Sequence, residues 1–136
     1  MPPLTVTGNG RIIIIPMHNV LVVEDDKNIS LALTMRLKAM GYKVSSAADA
    51  VYAMNEAVRC MPEVVLLDIN LPGGDGFVVA DRLRASTELS QTPIIFITAS
   101  KDPNLRMKAG KYGASRFIEK PFQAAQLTDA IDQLSH

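Results

Sequence analysis

Short apolar runs alternate along this chain with segments in which apolar residues recur every three to four positions, and five such pairs follow one another from residue 19 onward. A short run bounded by turn signals suits a strand, whereas a period near 3.6 marks one face of a helix. Repeated strand and helix pairs build a parallel sheet covered by helices, so the expected class is α/β.

Residues 20–23 read as the first strand, followed by a helix over 28–40 with Ile29, Leu33, Leu37 and Met40 on one face and Gly41 as its stop. A weaker strand at 43–46 precedes a helix capped by Asp49 that runs to Arg59. Residues 64–67 are apolar throughout, as expected of a strand buried on both faces, and deliver Asp68 at its carboxyl end. After Pro72, Gly73, Gly74 and Gly76 come a helix at 77–85, a strand at 93–98, and a helix at 103–112 ended by Gly113. The last pair is a strand at 116–119 and a helix at 124–134 with Leu127, Ile131 and Leu134 on one face.

One domain accounts for this length: 136 residues with 48% hydrophobic content build a single core, expected over 19–136. Residues 1–18 stand apart, punctuated by Pro2, Pro3, Gly8, Gly10 and Pro16. They are expected to be an N-terminal extension, either disordered or holding an extra or edge strand at 12–15; a leader with no role, with Met17 as the natural start, is the rival reading. The 120 residues from Met17 to the end suit one such domain, either standing alone or cut from a longer protein.

Charge and cysteine content narrow the classes. Basic and acidic residues balance at 14 each, so whole-chain charge gives no reason to expect nucleic acid or an acidic membrane as a partner. Cys60 is the only cysteine, which rules out an internal disulfide and a CxxC motif and fits a cytoplasmic setting. The run at 12–15 falls far short of the roughly 20 residues of a membrane helix and lacks the flanks of a signal peptide.

In an open parallel sheet, ligands bind beyond the carboxyl ends of the strands. Glu24, Asp25 and Asp26 leave the first strand, Asp68 the third, Thr98 the fourth and Lys120 the fifth, so these polar groups converge on one edge. Two carboxylates about 4 Å apart repel by roughly 1 kcal/mol in water and about 4 kcal/mol at an effective dielectric of 20, which calls for a cation among them. Magnesium suits oxygen ligands shared with a phosphate, and a carboxylate can itself accept a phosphoryl group.

Four motifs stand in order: Val22-Val23-Glu24-Asp25, Leu66-Leu67-Asp68-Ile69-Asn70-Leu71-Pro72-Gly73-Gly74-Asp75-Gly76, Ile97-Thr98-Ala99 and Phe117-Ile118-Glu119-Lys120-Pro121-Phe122. They resemble the receiver domain of bacterial response regulators, over residues 19–134. The resemblance implies a flavodoxin-like, doubly wound, five-stranded parallel sheet in the order 2-1-3-4-5 with five helices.

By the same resemblance Asp68 is the phosphoacceptor, fed by a sensor histidine kinase or a phosphotransfer protein. Asp25, Asp68 and the backbone carbonyl of Asn70 would ligate Mg2+, Glu24 would act through water, and Asp26 would lie outside the pocket. Lys120 would pair with Asp68 and then with the phosphoryl group, Thr98 would hydrogen-bond a phosphoryl oxygen, Ala99 would leave it room, and Pro121 would follow a cis peptide. Asn70 and Ser100 occupy the family's positions for tuning hydrolysis.

Thr98 drawn toward the phosphoryl group would admit Phe117, altering the face of the fourth helix, fifth strand and fifth helix for a downstream protein or a missing output domain. Slow self-phosphorylation and autodephosphorylation, without conventional enzyme turnover, complete the picture. Ser115-Arg116 departs from the paired acids of the winged-helix subfamily, which leaves monomer and phosphorylation-dependent dimer both open.

Plainer readings exist for each residue: Glu24 and Asp25 as helix-start acids, Lys120 as a solvated lysine, Thr98 as a strand residue, Phe117 as core. A haloacid dehalogenase-like phosphohydrolase is disfavoured because it wants an aspartate where Asn70 stands. A flavin module would need a phosphate-cradling loop where three acids stand. A receiver-shaped module that is never phosphorylated is the third alternative. Neither His18 nor His136 sits in a phosphotransfer motif, so the chain reads as acceptor and not kinase.

Overall fold

A computed structural model describes residues 4–6, 8–10, 12–14, 19–72 and 75–135. Pro2, Pro3, Pro16, Met17, His18, Gly73, Gly74 and His136, each singled out above, lie outside the described residues.

The chain opens with β1 (Leu4–Val6) and β2 (Ile12–Ile14), an antiparallel pair forming its own two-stranded sheet. Leu4 pairs with Ile14 and Val6 with Ile12 across the turn at Gly8, Asn9 and Gly10, with Gly10 at φ +82°. The sequence reading missed β1, and Ile12–Ile14 pair with it instead of adding to the main sheet, while residue 15 of the expected strand lies outside the described residues. An Asn-Gly pair between apolar runs is a hairpin signal, because glycine reaches positive φ without a Cβ penalty.

Five parallel strands follow: β3 (Asn19–Val23), β4 (Lys43–Ala47), β5 (Val64–Asp68), β6 (Ile94–Thr98) and β7 (Ser115–Glu119), ordered β4-β3-β5-β6-β7. Counted within that sheet the order is 2-1-3-4-5, the doubly wound arrangement. Between and after them run α1 (Lys27–Ala39), α2 (Ala50–Cys60), α3 (Gly76–Ala85), α4 (Pro103–Ala109) and α5 (Ala124–Ser135).

Alternation along the strands divides the core. Leu21, Val23, Val65, Leu67 and Phe96 face one side and pack with Ala53, Ala57 and Leu83 of α2 and α3. Val20, Val22, Val64, Leu66, Ile95 and Ile97 face the other, against Leu33 and Leu37 of α1 and Leu127 and Ile131 of α5. Each such aliphatic side chain contributes about 1.5–3 kcal/mol on full burial, which is what holds the central strands in place.

Helix starts follow the capping rule that a short oxygen-bearing side chain satisfies free N–H groups. Asp26, Asp49, Asp75 and Asp102 cap α1 to α4, each accepting from backbone N–H groups of the first turn. Two helix expectations need correction. Met40 does not share the buried face of α1; it is the C-cap, 38% exposed, with Gly41 next at φ +94°. The fourth helix ends at Ala109 with Gly110 as its cap, not at Gly113, because the chain turns there to send Tyr112 inward against Phe77 and Phe96. Among the described residues no helix is long and apolar enough to cross a membrane.

Candidate functional site

The carboxyl ends of β3, β5, β6 and β7 bring the predicted polar residues to one edge. Glu24, Asp25 and Asp68 each offer a carboxylate oxygen, and these atoms lie within 4.8 Å of one another. Glu24 and Asp68 are buried, at 5% and 6% exposure, and Asp25 is exposed. Asp26 turns away to cap α1, its Oδ1 accepting from the N–H groups of Asn28 and Ile29.

Lys120 closes the cluster. Its Nζ donates to Glu24 Oε2 at 2.8 Å and to Asp68 Oδ2 at 3.1 Å, and the peptide bond to Pro121 is cis. Burial raises the Glu24 carboxyl above the ordinary range and the adjoining Asp68 carboxylate adds to this, while the Lys120 hydrogen bond opposes it. Burial alone would lower the Lys120 ammonium, but the Glu24 hydrogen bond and the two carboxylate charges more than offset it, leaving the group raised and firmly protonated.

Asp68 is held from both sides, because its Oδ1 also accepts from the Asn70 N–H at 2.9 Å. Thr98 is fully buried, and its Oγ1 accepts from the Ser100 N–H at 3.1 Å and from Asn70 Nδ2 at 3.5 Å. With two donors already at that oxygen, the hydroxyl proton has no acceptor among the described residues and remains to be donated. Phe117 is half-buried one strand away, with the Arg106 guanidinium carbon 4.6 Å from its ring centroid.

Three carboxylates against one ammonium leave two negative charges uncompensated. That imbalance, built only from oxygen donors, fits a small hard divalent cation and suits neither zinc nor copper, which prefer nitrogen and sulfur. A cleft of about 540 Å³ opens beside Glu24 and Asp25, bordered by Ser30 and Thr34 of α1, Ser46 of β4 and Tyr52 of α2. The cluster is therefore open to solvent on one side.

Two contributors escaped the sequence reading. Gly76 stood at the end of the second motif without a role of its own, yet a Cβ there would lie 2.5 Å from the Asp68 carbonyl oxygen, and its N–H donates to Ile69 O at 2.7 Å. A glycine eight residues after a strand-end aspartate, placed directly behind an N-cap aspartate, is the signal that marks it. Arg106 over Phe117 left no signal, since the contact joins α4 to β7.

Comparison with known proteins completes the assignment. Residues 20–132 match the response regulator receiver domain model. The chain is 31% identical over 118 residues to the DNA-binding dual master transcriptional regulator RpaA of Synechocystis, covering 87% of this chain and 49% of that protein. It is 35% identical over 117 residues to the response regulator PleD of Caulobacter vibrioides, covering 85% and 26% respectively. The chain thus spans about half or less of these relatives. Among solved structures, the chemotaxis protein CheY4 of Vibrio cholerae superposes with a TM-score of 0.81 at 28% identity, covering 88% of this chain and 99% of that one. Sheet order, strand-end motifs and the match across the whole sheet together make this chain a member of the response regulator receiver domain family.

Proposed function

We propose that this chain is a phosphorylation switch in which Asp68 accepts a phosphoryl group from a phosphohistidine on a sensor histidine kinase or phosphotransfer protein. The observation that carries this reading is Lys120 bridging Glu24 and Asp68 inside a carboxylate cluster left two charges short of neutrality. Residues 19–136 are the receiver and residues 1–18 an extension, in a cytoplasmic protein.

In the transfer, a carboxylate oxygen of Asp68 attacks phosphorus, the P–N bond to the donor imidazole breaks, and its electron pair returns to the ring. The Asn70 N–H fixes Asp68 for attack, and Lys120 follows the negative charge onto the new phosphoryl oxygens. The Thr98 hydroxyl donates a hydrogen bond to one of those oxygens and keeps its proton. Asp25, Asp68 and the Asn70 carbonyl would hold Mg2+, with Glu24 acting through water; bound there, the ion supplies positive charge opposite the transferring oxygens.

A phosphoryl group brings roughly 1.5 to 2 negative charges. As Thr98 turns toward it, Phe117 moves into the vacated space, changing the surface of α4, β7 and α5 for a downstream protein or an output domain. The domain works as a monomer or as a phosphorylation-dependent dimer, with slow self-phosphorylation and autodephosphorylation and no conventional turnover. Intact-protein mass spectrometry after acetyl phosphate with Mg2+, run beside Asp68→Asn, tests this: one phosphoryl group is expected on the wild type and none on the variant. Equal labelling of both, or labelling unchanged by chelation of the metal, would overturn it.

A further inference from the structure

We propose that the cleft on the α3-facing side of α4 docks an acidic, amphipathic segment of a partner protein, at a surface apart from the carboxylate cluster around Asp68. The cleft has a volume of about 470 Å³ and is lined by Asn104, Met107, Lys108, Lys111 and Tyr112. Asn104, Met107 and Lys108 stand at the spacing i, i+3 and i+4 on one face of α4, and Lys111 and Tyr112 join the same cleft from the turn after it.

The lining mixes an exposed apolar group with positive charge that no carboxylate pairs among the described residues. Met107 is 68% exposed, the most exposed of the large hydrophobic side chains among the described residues, and an unbranched thioether adapts its shape to whatever covers it. Lys108 rests its ammonium 4.4 Å from the centroid of the Phe77 ring, and Lys111 makes no ion pair among the described residues. Asp81 of α3 is already engaged, accepting from the Tyr112 hydroxyl at 2.6 Å. The other cations of this region are committed elsewhere: Lys101 and Arg106 both pair with Glu119.

Charge on this chain is segregated, for a net charge of zero coexists with Lys101, Arg106, Lys108, Lys111 and Arg116 against Asp102 alone within 101–116. Complementarity therefore calls for carboxylates opposite Lys108 and Lys111, with an apolar side chain between them on Met107 and the Tyr112 ring. A polypeptide segment supplies both at that spacing. A nucleic acid backbone would cover the lysines and leave Met107 in water, and a membrane surface would need more apolar area than one methionine provides.

The test is titration of the isotope-labelled 136-residue chain with a synthetic helical peptide carrying Glu and Leu at i, i+4 spacing, followed by amide chemical shifts. Parallel arms use the same peptide with Gln for every Glu, duplex DNA, and phosphatidylglycerol vesicles. Saturable shifts are expected at Asn104, Met107, Lys108, Lys111 and Tyr112, with the Gln peptide markedly weaker. The double substitution Lys108→Gln with Lys111→Gln should weaken the acidic peptide about threefold to tenfold while leaving amides elsewhere in place. Absence of saturable shifts, indifference to either set of charge changes, or stronger occupation of these residues by DNA or vesicles would overturn the proposal.

Discussion

Phe96 and Phe117 face one another in register on β6 and β7, yet they occupy different kinds of surroundings. Phe96 is fully buried and lies 5.2 Å from Phe77 and 5.4 Å from Tyr112, ring centre to ring centre. Phe117 is half-buried, and its outer side is covered by one charged side chain, Arg106. Every residue of β6 is buried, whereas β7 is an edge strand with only Ile118 buried. A close-packed interior has two discrete arrangements or none, so a side chain enclosed on all sides stays put. One that sits beneath a charged lid at a sheet edge can exchange positions at small cost. Asp68 belongs to the fixed part of the molecule, and the surface proposed to report on it belongs to the adjustable part.

The largest expected difference comes from truncating the two rings. Phe96→Ala should cost about 3–5 kcal/mol, because it opens a cavity in a stack that cannot collapse. Phe117→Ala should cost about 1 kcal/mol, since part of its surface is already in water and Arg106 can settle into the space. Urea denaturation of both variants reads the gap, and equal losses would erase the distinction between centre and edge. Two glycines sharpen it. Gly76→Ala should cost about 1–3 kcal/mol, because the new Cβ would meet the Asp68 carbonyl at 2.5 Å and the backbone must shift. Phosphoryl uptake from acetyl phosphate should fall along with it. Gly113→Ala, where nothing lies within 4 Å of the added atom, should leave both measurements near wild type.

The contrast also separates what a sequence displays from what it conceals. Asp68 could be located from its position after four consecutive apolar residues, because a run buried on both faces has to be a central strand. Glu24, Thr98 and Lys120 were legible for the same reason: parallel strands send every carboxyl end to one edge. Side-chain meetings between distant segments are another matter. Lys120 reaches Glu24 across 96 positions, a contact that no local pattern encodes, although both residues were expected in the same pocket. The length of α4 was misjudged because Lys111 and Tyr112 are compatible with a helix, and only the tertiary pull of Phe77 and Phe96 on Tyr112 ends it earlier. The hairpin of β1 and β2 was overlooked because three-residue strands carry too little periodicity to stand out from turn residues.

The smallest effect belongs to the edge alone. Glu119 accepts from Lys101 Nζ at 3.1 Å and lies 3.7 Å from Arg106, so it ties the start of α4 to β7 and steadies the guanidinium over Phe117. The Lys101 hydrogen bond and charge hold the Glu119 carboxyl below its ordinary value of 4.5. A carboxylate lowered in the folded state stabilises fully above its unfolded value, and that contribution is lost as pH falls through the lower, folded one. Acidification below about 4.5 should therefore loosen α4 against β7 while β5 and β6 hold, seen as lower amide protection, relative to the intrinsic exchange rate at each pH, at Leu105 and Arg106 and a shift of the Phe117 ring resonances. Glu119→Gln should show the loosened state already at neutral pH and abolish that acid dependence. Because the pair is exposed, added salt should mimic the substitution in the wild type. If instead β6 amides opened together with α4 on acidification, centre and edge would be one cooperative unit, and Phe117 could not move without disturbing the strand that carries Thr98.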